Sequence, residues 1–284
     1  MLGVLRCAIM LPYAWQCRLG SGLGIALYHL HRKRRNIVAT NIRLCFPDLS
    51  LSERTALAKE NFRQTGISVF ETALAWWGKT DRLRRLCQIE GLHHVHEALK
   101  LGKGVILLTG HSTSVEMGGR LFALYVPMQA IYRKVRNELV NAVTLHARRR
   151  GLVRVEPRTK LRSTIRGLKE NVPTWYAPDQ DFGTRGTVFA DFMGVPAATL
   201  VASAKLAQLS GAKVVPFFPY RLPGYAGFKL VLDPPLEDFP SGDDHIDARR
   251  VNEVLEHQVA RAPAQYLWAH RRFKTRPPGE PGIY

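Results

Sequence analysis

Cysteine is scarce in this chain. Its 284 residues hold four, Cys7, Cys17, Cys45 and Cys87, all in the first third and with no CxxC pair among them. Neither a disulfide framework nor a cysteine zinc site is indicated, and a reducing compartment is the default. Acidic residues are few as well: 23 Asp and Glu stand against 41 Lys and Arg, a formal charge of +18. Such an excess attracts something anionic, whether nucleic acid, phospholipid head groups or an acidic protein. RNP-like strands, a helix-turn-helix signature and basic–aromatic interleaving are all missing, which argues against nucleic acid. Internal repeats, low-complexity tracts and a long Gly/Ser linker are also lacking, so one α/β domain is expected.

A long clean apolar run is absent too. From Leu2 to Leu30 the chain is mostly apolar, but Arg6, Pro12, Gln16 and Arg18 interrupt it. It falls short of the roughly 18 residues of an unambiguous spanning helix. Directly after it comes HRKRR, His31 to Arg35, a cluster of the kind that stays on the cytoplasmic side and grips anionic lipid. With no small-residue cleavage site, residues 1–35 are expected to form a membrane-associated anchor and 36–284 a single domain.

What is present is a regular alternation. Ser50 and Glu53 are spaced as a capping box before a helix over 51–77, and Gly78 fits its stop. Beyond it, strands are expected at 104–109, 128–133, 152–155, 174–177, 213–218 and 228–232, and helices at 137–150, 160–170, 197–210 and 246–261. This pattern predicts an α/β fold with a mixed, largely parallel central sheet and helices on both faces, preceded by the N-terminal membrane-associated helical segment. In such sheets the working site lies beyond the carboxyl ends of the strands.

One strand end stands out. GVILLTGHSTSVEMGGRL, residues 104–121, runs from an apolar segment through Gly110 to His111 and on to Glu116. On a continuous helix residues five apart point about 140° away from each other. If instead the strand ends at Thr109 and a helix starts near Ser114, His111 lies over the first helical turn, where Glu116 can hold one ring nitrogen and leave the other basic. Backbone N–H groups at that helix start would then face a developing oxyanion. The alternative is that TSVE is itself a capping box, Thr113 the N-cap and Glu116 merely closing the helix end. No HExxH supports a metal site, and no GxSxG elbow supports a serine hydrolase.

Three further stretches carry chemistry-bearing residues. WYAPDQDFGTRG, 175–186, delivers acids at a strand end, where both working groups and helix caps occur. HARRRG, 146–151, puts three arginines at a helix C-terminus, favourable to the dipole or to a phosphate. VVPFFPYR is a strand whose Pro216 and Pro219 suggest an edge or bulge leading to Arg221.

Taken together, RKRRNIVATNIRLCFPDLS, GHSTSVEMGGRLF, IYRKVRN, WYAPDQDFG, SGAKVVPFFPYR and APAQYLWAHRRFKTRPPGEP resemble, in order and over nearly the whole chain, the bacterial lipid A biosynthesis acyltransferases, the late lauroyl and myristoyl transferases. The resemblance implies an inner-membrane enzyme, its catalytic domain on the cytoplasmic face, with the His-x4-acid motif of glycerolipid acyltransferases. It would move a fatty acyl chain from acyl carrier protein to the hydroxyl of a 3-hydroxyacyl chain on a phosphorylated, Kdo-bearing lipid A precursor. By that analogy His111 deprotonates the hydroxyl and Glu116 orients the ring. Arg148 and Asp179 match substrate-binding or transition-state groups, and Arg133 and Arg221 are candidates for phosphate or acyl-carrier contacts. The chemistry needs neither metal nor redox cofactor. Two positions depart from the family pattern: Ser112 stands where a bulky residue is usual, and Ala147 where glycine is. The rivals are an acyltransferase for another membrane lipid, such as an ornithine lipid, a lysophospholipid or a glycolipid, and a catalytically dead lipid-binding protein.

Overall fold

Val105–Leu108 is buried on both sides, and its four side chains divide between two apolar cores: Val105 and Leu107 enter one, Ile106 and Leu108 the other. A strand with no polar alternation belongs at the centre of a covered sheet, and this one does. The computed structural model describes residues 2–157 and 159–284; Met1 of the N-terminal segment lies outside them.

Four helices come first, α1 (Leu2–Ala8), α2 (Tyr13–Leu30), α3 (Arg32–Cys45) and α4 (Leu51–Trp77). They lead through α5 (Thr80–Arg85), β1 (Cys87–Glu90) and α6 (Leu92–Leu99) to β2 (Val105–Leu108) and α7 (Val115–Phe122). Then follow β3 (Gln129–Tyr132), α8 (Glu138–Arg149), β4 (Arg154–Pro157), α9 (Leu161–Lys169) and β5 (Thr174–Tyr176). A hairpin of β6 (Thr187–Phe192) and β7 (Val195–Leu200) precedes α10 (Ala202–Ser210), β8 (Lys213–Arg221), β9 (Phe228–Leu232) and α11 (Asp244–Arg261). The main sheet has the order β1-β9-β8-β2-β5-β3-β4, parallel throughout except where β9 runs antiparallel to β8. The expected mixed, largely parallel sheet with helices on both faces is therefore what the chain forms.

Two expectations need correction. Residues 197–210 are not one helix: 195–200 form β7, paired with β6 from Thr187↔Leu200 to Phe192↔Val195, and only 202–210 are helical. Nor is β8 an edge strand. It pairs with β2 over Lys213–Pro216 and with β9 over Phe217–Arg221, so each half of the strand has its ladder on one side. Pro216 stands where the partner changes from β2 to β9, and Pro219 lies in the half that has its ladder with β9 alone.

The N-terminal helices do not stand apart from this sheet. Tyr13 and Cys17 of α2 enter the core that holds Val105 and Leu107. Gly20 and Gly24 lie against Gly66 of α4 so closely that a Cβ on Gly66 would come within 2.1 Å of the Gly20 carbonyl oxygen. No side chain fits there, and the bare backbones set the crossing of the two helices. The opposite face of α2 is apolar and exposed at Trp15, Leu19 and Leu23. No helix among the described residues is long and apolar enough to cross a membrane.

Candidate active site

β2 and β5 are neighbours and parallel, so their carboxyl ends lie side by side. Thr109 N–H donates to the Tyr176 carbonyl at 3.0 Å, carrying the pairing one residue past β2. Beyond it the chain turns at Gly110, whose Cβ, were there one, would lie 2.7 Å from Gln258 Oε1; the amide of Gly110 donates to that same oxygen at 2.9 Å. The next residue from β2 is His111, and the loop after β5 brings Asp179 to meet it.

Asp179 holds His111 twice. Oδ1 lies 2.5 Å from the ring Nδ1, and Oδ2 accepts from the His111 backbone N–H at 2.8 Å. Burial alone would push the Asp179 carboxyl up, but the charge and hydrogen bonds of His111 outweigh it and hold the group down at about 2. An ionised carboxylate only accepts, so Nδ1 carries the proton and the lone pair sits on Nε2. For His111 burial acts to lower the pKa, while the Asp179 charge and hydrogen bond raise it above the ordinary value. The His111 side chain is 29% exposed and that of Asp179 only 2%, so solute reaches the ring and not its carboxylate. Tyr266, buried beside the pair, is kept a neutral phenol by burial first and then by the Asp179 charge.

Glu116 takes a different partner from the one its spacing suggested. Arg148 Nε donates to Oε1 at 3.1 Å and its terminal nitrogen to Oε2 at 2.5 Å, while Trp76 Nε1 donates to Oε1 at 3.2 Å. Among the described residues, then, the carboxylate on the His111 ring is Asp179. The helix-cap alternative fails as well: the N-cap of α7 is Ser114, its side chain makes no cap bond, and the Thr113 and Ser114 hydroxyls have no partner among the described residues. Arg148 comes from the last turn of α8, and its guanidinium lies 5.7 Å from the Tyr132 ring centroid and 5.9 Å from that of Trp175. Its charge acts on His111, opposing protonation of the ring. The Glu116–Arg148 pair lines a small pocket together with Ala75, Gly119, Arg120, Ala147 and Trp175.

The remaining sequence candidates lie elsewhere. Arg133 is exposed just past β3. Arg221 is sealed in a bidentate pair with Glu71 of α4, which also accepts from the Tyr13 hydroxyl at 2.6 Å; this pair ties α2, α4 and β8 together. Asp181 accepts from Thr275 N and Oγ1 and from Gly183 N, a loop-fixing role. Among the described residues no cluster of His, Cys, Asp and Glu is placed to hold a metal ion.

Sequence reasoning missed what holds the His111 loop. Thr113 N–H donates to the Gln265 carbonyl at 2.7 Å and Leu267 N–H to the His111 carbonyl at 3.0 Å, so the terminal QYLW stretch pairs with the loop like a short strand. That stretch hangs from two buried asparagines. Asn61 of α4 donates to the carbonyls of Ala264 and Tyr266, and Asn41 of α3 to those of Trp268 and His270. The available signal was a polar residue inside an apolar stripe: Ile37, Val38, Asn41, Ile42 and Cys45 share one face of α3.

The sequence profile of the bacterial lipid A biosynthesis acyltransferases matches residues 1–275. The chain is 38% identical to the lipid A biosynthesis palmitoleoyltransferase of Escherichia coli (strain K12), over its full length and 92% of that protein. It is 37% identical to the lauroyltransferase of the same organism, again over its full length and 93% of the relative. The match to the myristoyltransferase is 31%, over 93% of this chain and 81% of the relative. A profile spanning nearly every residue, with relatives of this identity end to end, shows that the chain belongs to the bacterial lipid A biosynthesis acyltransferase family.

Proposed function

We propose that the protein transfers a fatty acyl chain from acyl carrier protein to the hydroxyl of a 3-hydroxyacyl chain on a Kdo-bearing lipid A precursor, at the cytoplasmic face of the inner membrane. The observation that carries the reaction is the His111–Asp179 pair, a solute-accessible imidazole whose Nδ1 is fixed by a buried ionised carboxylate. His111 Nε2 takes the proton of the acceptor hydroxyl as its oxygen attacks the thioester carbonyl. The tetrahedral oxyanion collapses with cleavage of the carbon–sulfur bond, and the imidazolium returns the proton to the departing thiolate. Asp179 is a positioning residue that steadies the imidazolium.

Glu116 acts through Arg148: the carboxylate holds the guanidinium over Tyr132 and Trp175. Arg148 then offers its remaining donors to the anionic centre. The membrane reading rests on the exposed apolar face of α2, continued by the basic start of α3.

The test is mass spectrometry of lipid A from cells lacking the protein and complemented with wild type or His111→Ala. Wild type should restore one acyl mass that the variant does not, with both proteins folded and equally abundant. Restoration by the alanine variant would remove the mechanism, and no mass difference between cells with and without the protein would remove the substrate assignment.

A further inference from the structure

Two basic runs, HRKRR at 31–35 and HRRFK at 270–274, lie 235 residues apart and meet in the fold: Arg34 at the start of α3 donates to the Ala269 carbonyl at 3.0 Å. A cleft forms between them. Its walls carry four cations, Lys33, Arg34, Arg271 and Lys274, together with His270 and one carboxylate, Asp181. That carboxylate is spent within the protein, its oxygens accepting from Thr275 and Gly183. His270 is held neutral by burial and accepts from the Asp181 N–H at 2.9 Å. Ion pairs are common elsewhere in the molecule, yet among the described residues none of the four cations is paired with a carboxylate. Four positive charges converging on a concave surface with a single carboxylate among them raise the local concentration of anions.

Placement narrows the anion. Asp181 lies two residues after Asp179, so the loop that orients His111 also forms a wall of the cleft. The cleft begins just where the apolar face of α2 ends: Leu30 is 78% exposed and Lys33 follows one turn later. With that face against a bilayer, a basic cluster directly after it suits the anionic head-group region. Guanidinium and ammonium groups together suit a phosphate, bidentate from the arginines and as point charges from the lysines. A carrier-protein helix would call for an extended rim of charge rather than a concave seat.

We propose that this cleft binds a phosphate of the glycolipid acceptor's head group and so fixes the acceptor's hydroxyl relative to His111. The inference deepens the function proposed above and rests on it for the identity of the lipid.

The experiment measures equilibrium binding, in neutral detergent micelles, of a 3-hydroxyacylated phosphorylated glucosamine disaccharide lipid and of the same lipid after phosphatase treatment. Wild type should prefer the phosphorylated form by about tenfold, the scale of one charge-assisted contact, and the Lys33→Gln/Lys274→Gln double variant should bind both forms alike. Neither lysine's side chain has a hydrogen bond or ion pair among the described residues, so the fold should survive, and Arg271→Gln supplies a second variant. A double variant that keeps the full preference overturns the proposal, as does a wild type that shows none. Lys33 also belongs to the basic start of α3, so some loss of phosphatidylglycerol vesicle binding is expected; a loss as large as that for the phosphorylated lipid assigns the cleft to bulk lipid, and a fall only in affinity for acyl carrier protein assigns it to the donor, and either overturns the proposal. Acyl transfer measured alongside separates the two readings: an inactive wild type defeats the enzyme assignment, while the binding ratio still decides the cleft.

Discussion

Asp179 grips His111 by the backbone amide and by the ring, and the two bonds act on different quantities. The first fixes where the ring stands; the second fixes which nitrogen carries the proton. Asp179→Asn keeps the size and removes the charge. Since the Asp179 charge raises the His111 pKa and the neutral ring is the working form in the proposed mechanism, the acid limb of kcat/KM against pH should move to lower pH in the variant. The plateau should fall by about 10²- to 10⁴-fold, because an amide that donates to Nδ1 leaves the proton on Nε2. An unmoved limb with an undiminished plateau would show that Asp179 does not act on the ring. The histidine was legible in the sequence because a strand, a glycine and a helix start surround it. Its partner was misassigned because spacing displays only chain neighbours. Glu116 is five residues away and Asp179 is 68, and only the pairing of β2 with β5 makes the distant acid the near one.

The elements around the site are joined by backbone carbonyls that need donors, which gives the buried asparagines of α3 and α4 their role. Asn61→Ala removes two donors and leaves the carbonyls of Ala264 and Tyr266 buried without them. A destabilisation of about 2–4 kcal/mol follows from two unsatisfied acceptors. The substitution should also lower kcat more than it raises KM, since Gln265 and Leu267 of the same stretch hold the His111 loop. Chemical denaturation and steady-state rates with saturating donor check both, and a stability loss with unchanged kcat would separate the stretch from the site. Strands with continuous apolar runs were readable at this level: 228–232 forms as expected and 104–109 within a residue at each end. The β6–β7 hairpin was not, because its turn is Met193–Gly194, both at positive φ, and not one of the Asn-Gly or Asp-Gly pairs that mark such turns. Ala-rich VPAATLVASAK then reads as one helix, although cross-strand pairing claims its first half.

Across the whole molecule, burial and charge divide α2 lengthwise. Its inner face meets α4 through Gly20 and Gly24, and that contact turns Trp15, Leu19 and Leu23 outward, at 55%, 49% and 37% exposure. On the membrane reading proposed above, this helix would lie in the interface of a bilayer, and a chain of charge +18 would add attraction to anionic lipid. The two contributions separate by substitution and by salt. Leu19→Glu/Leu23→Glu removes apolar area worth up to about 1.5–3 kcal/mol per side chain if fully buried and places two anions against the surface. Sedimentation with phosphatidylglycerol-containing vesicles should fall at least tenfold, while the melting temperature stays within a few degrees, since both side chains already point away from the core. Raised salt should weaken wild-type binding only in part, because the apolar share of the attraction is not screened. Vesicle binding that survives the double substitution, or that salt abolishes entirely in wild type, would place the contact on the basic surface alone and leave the exposed face of α2 without a role at the membrane.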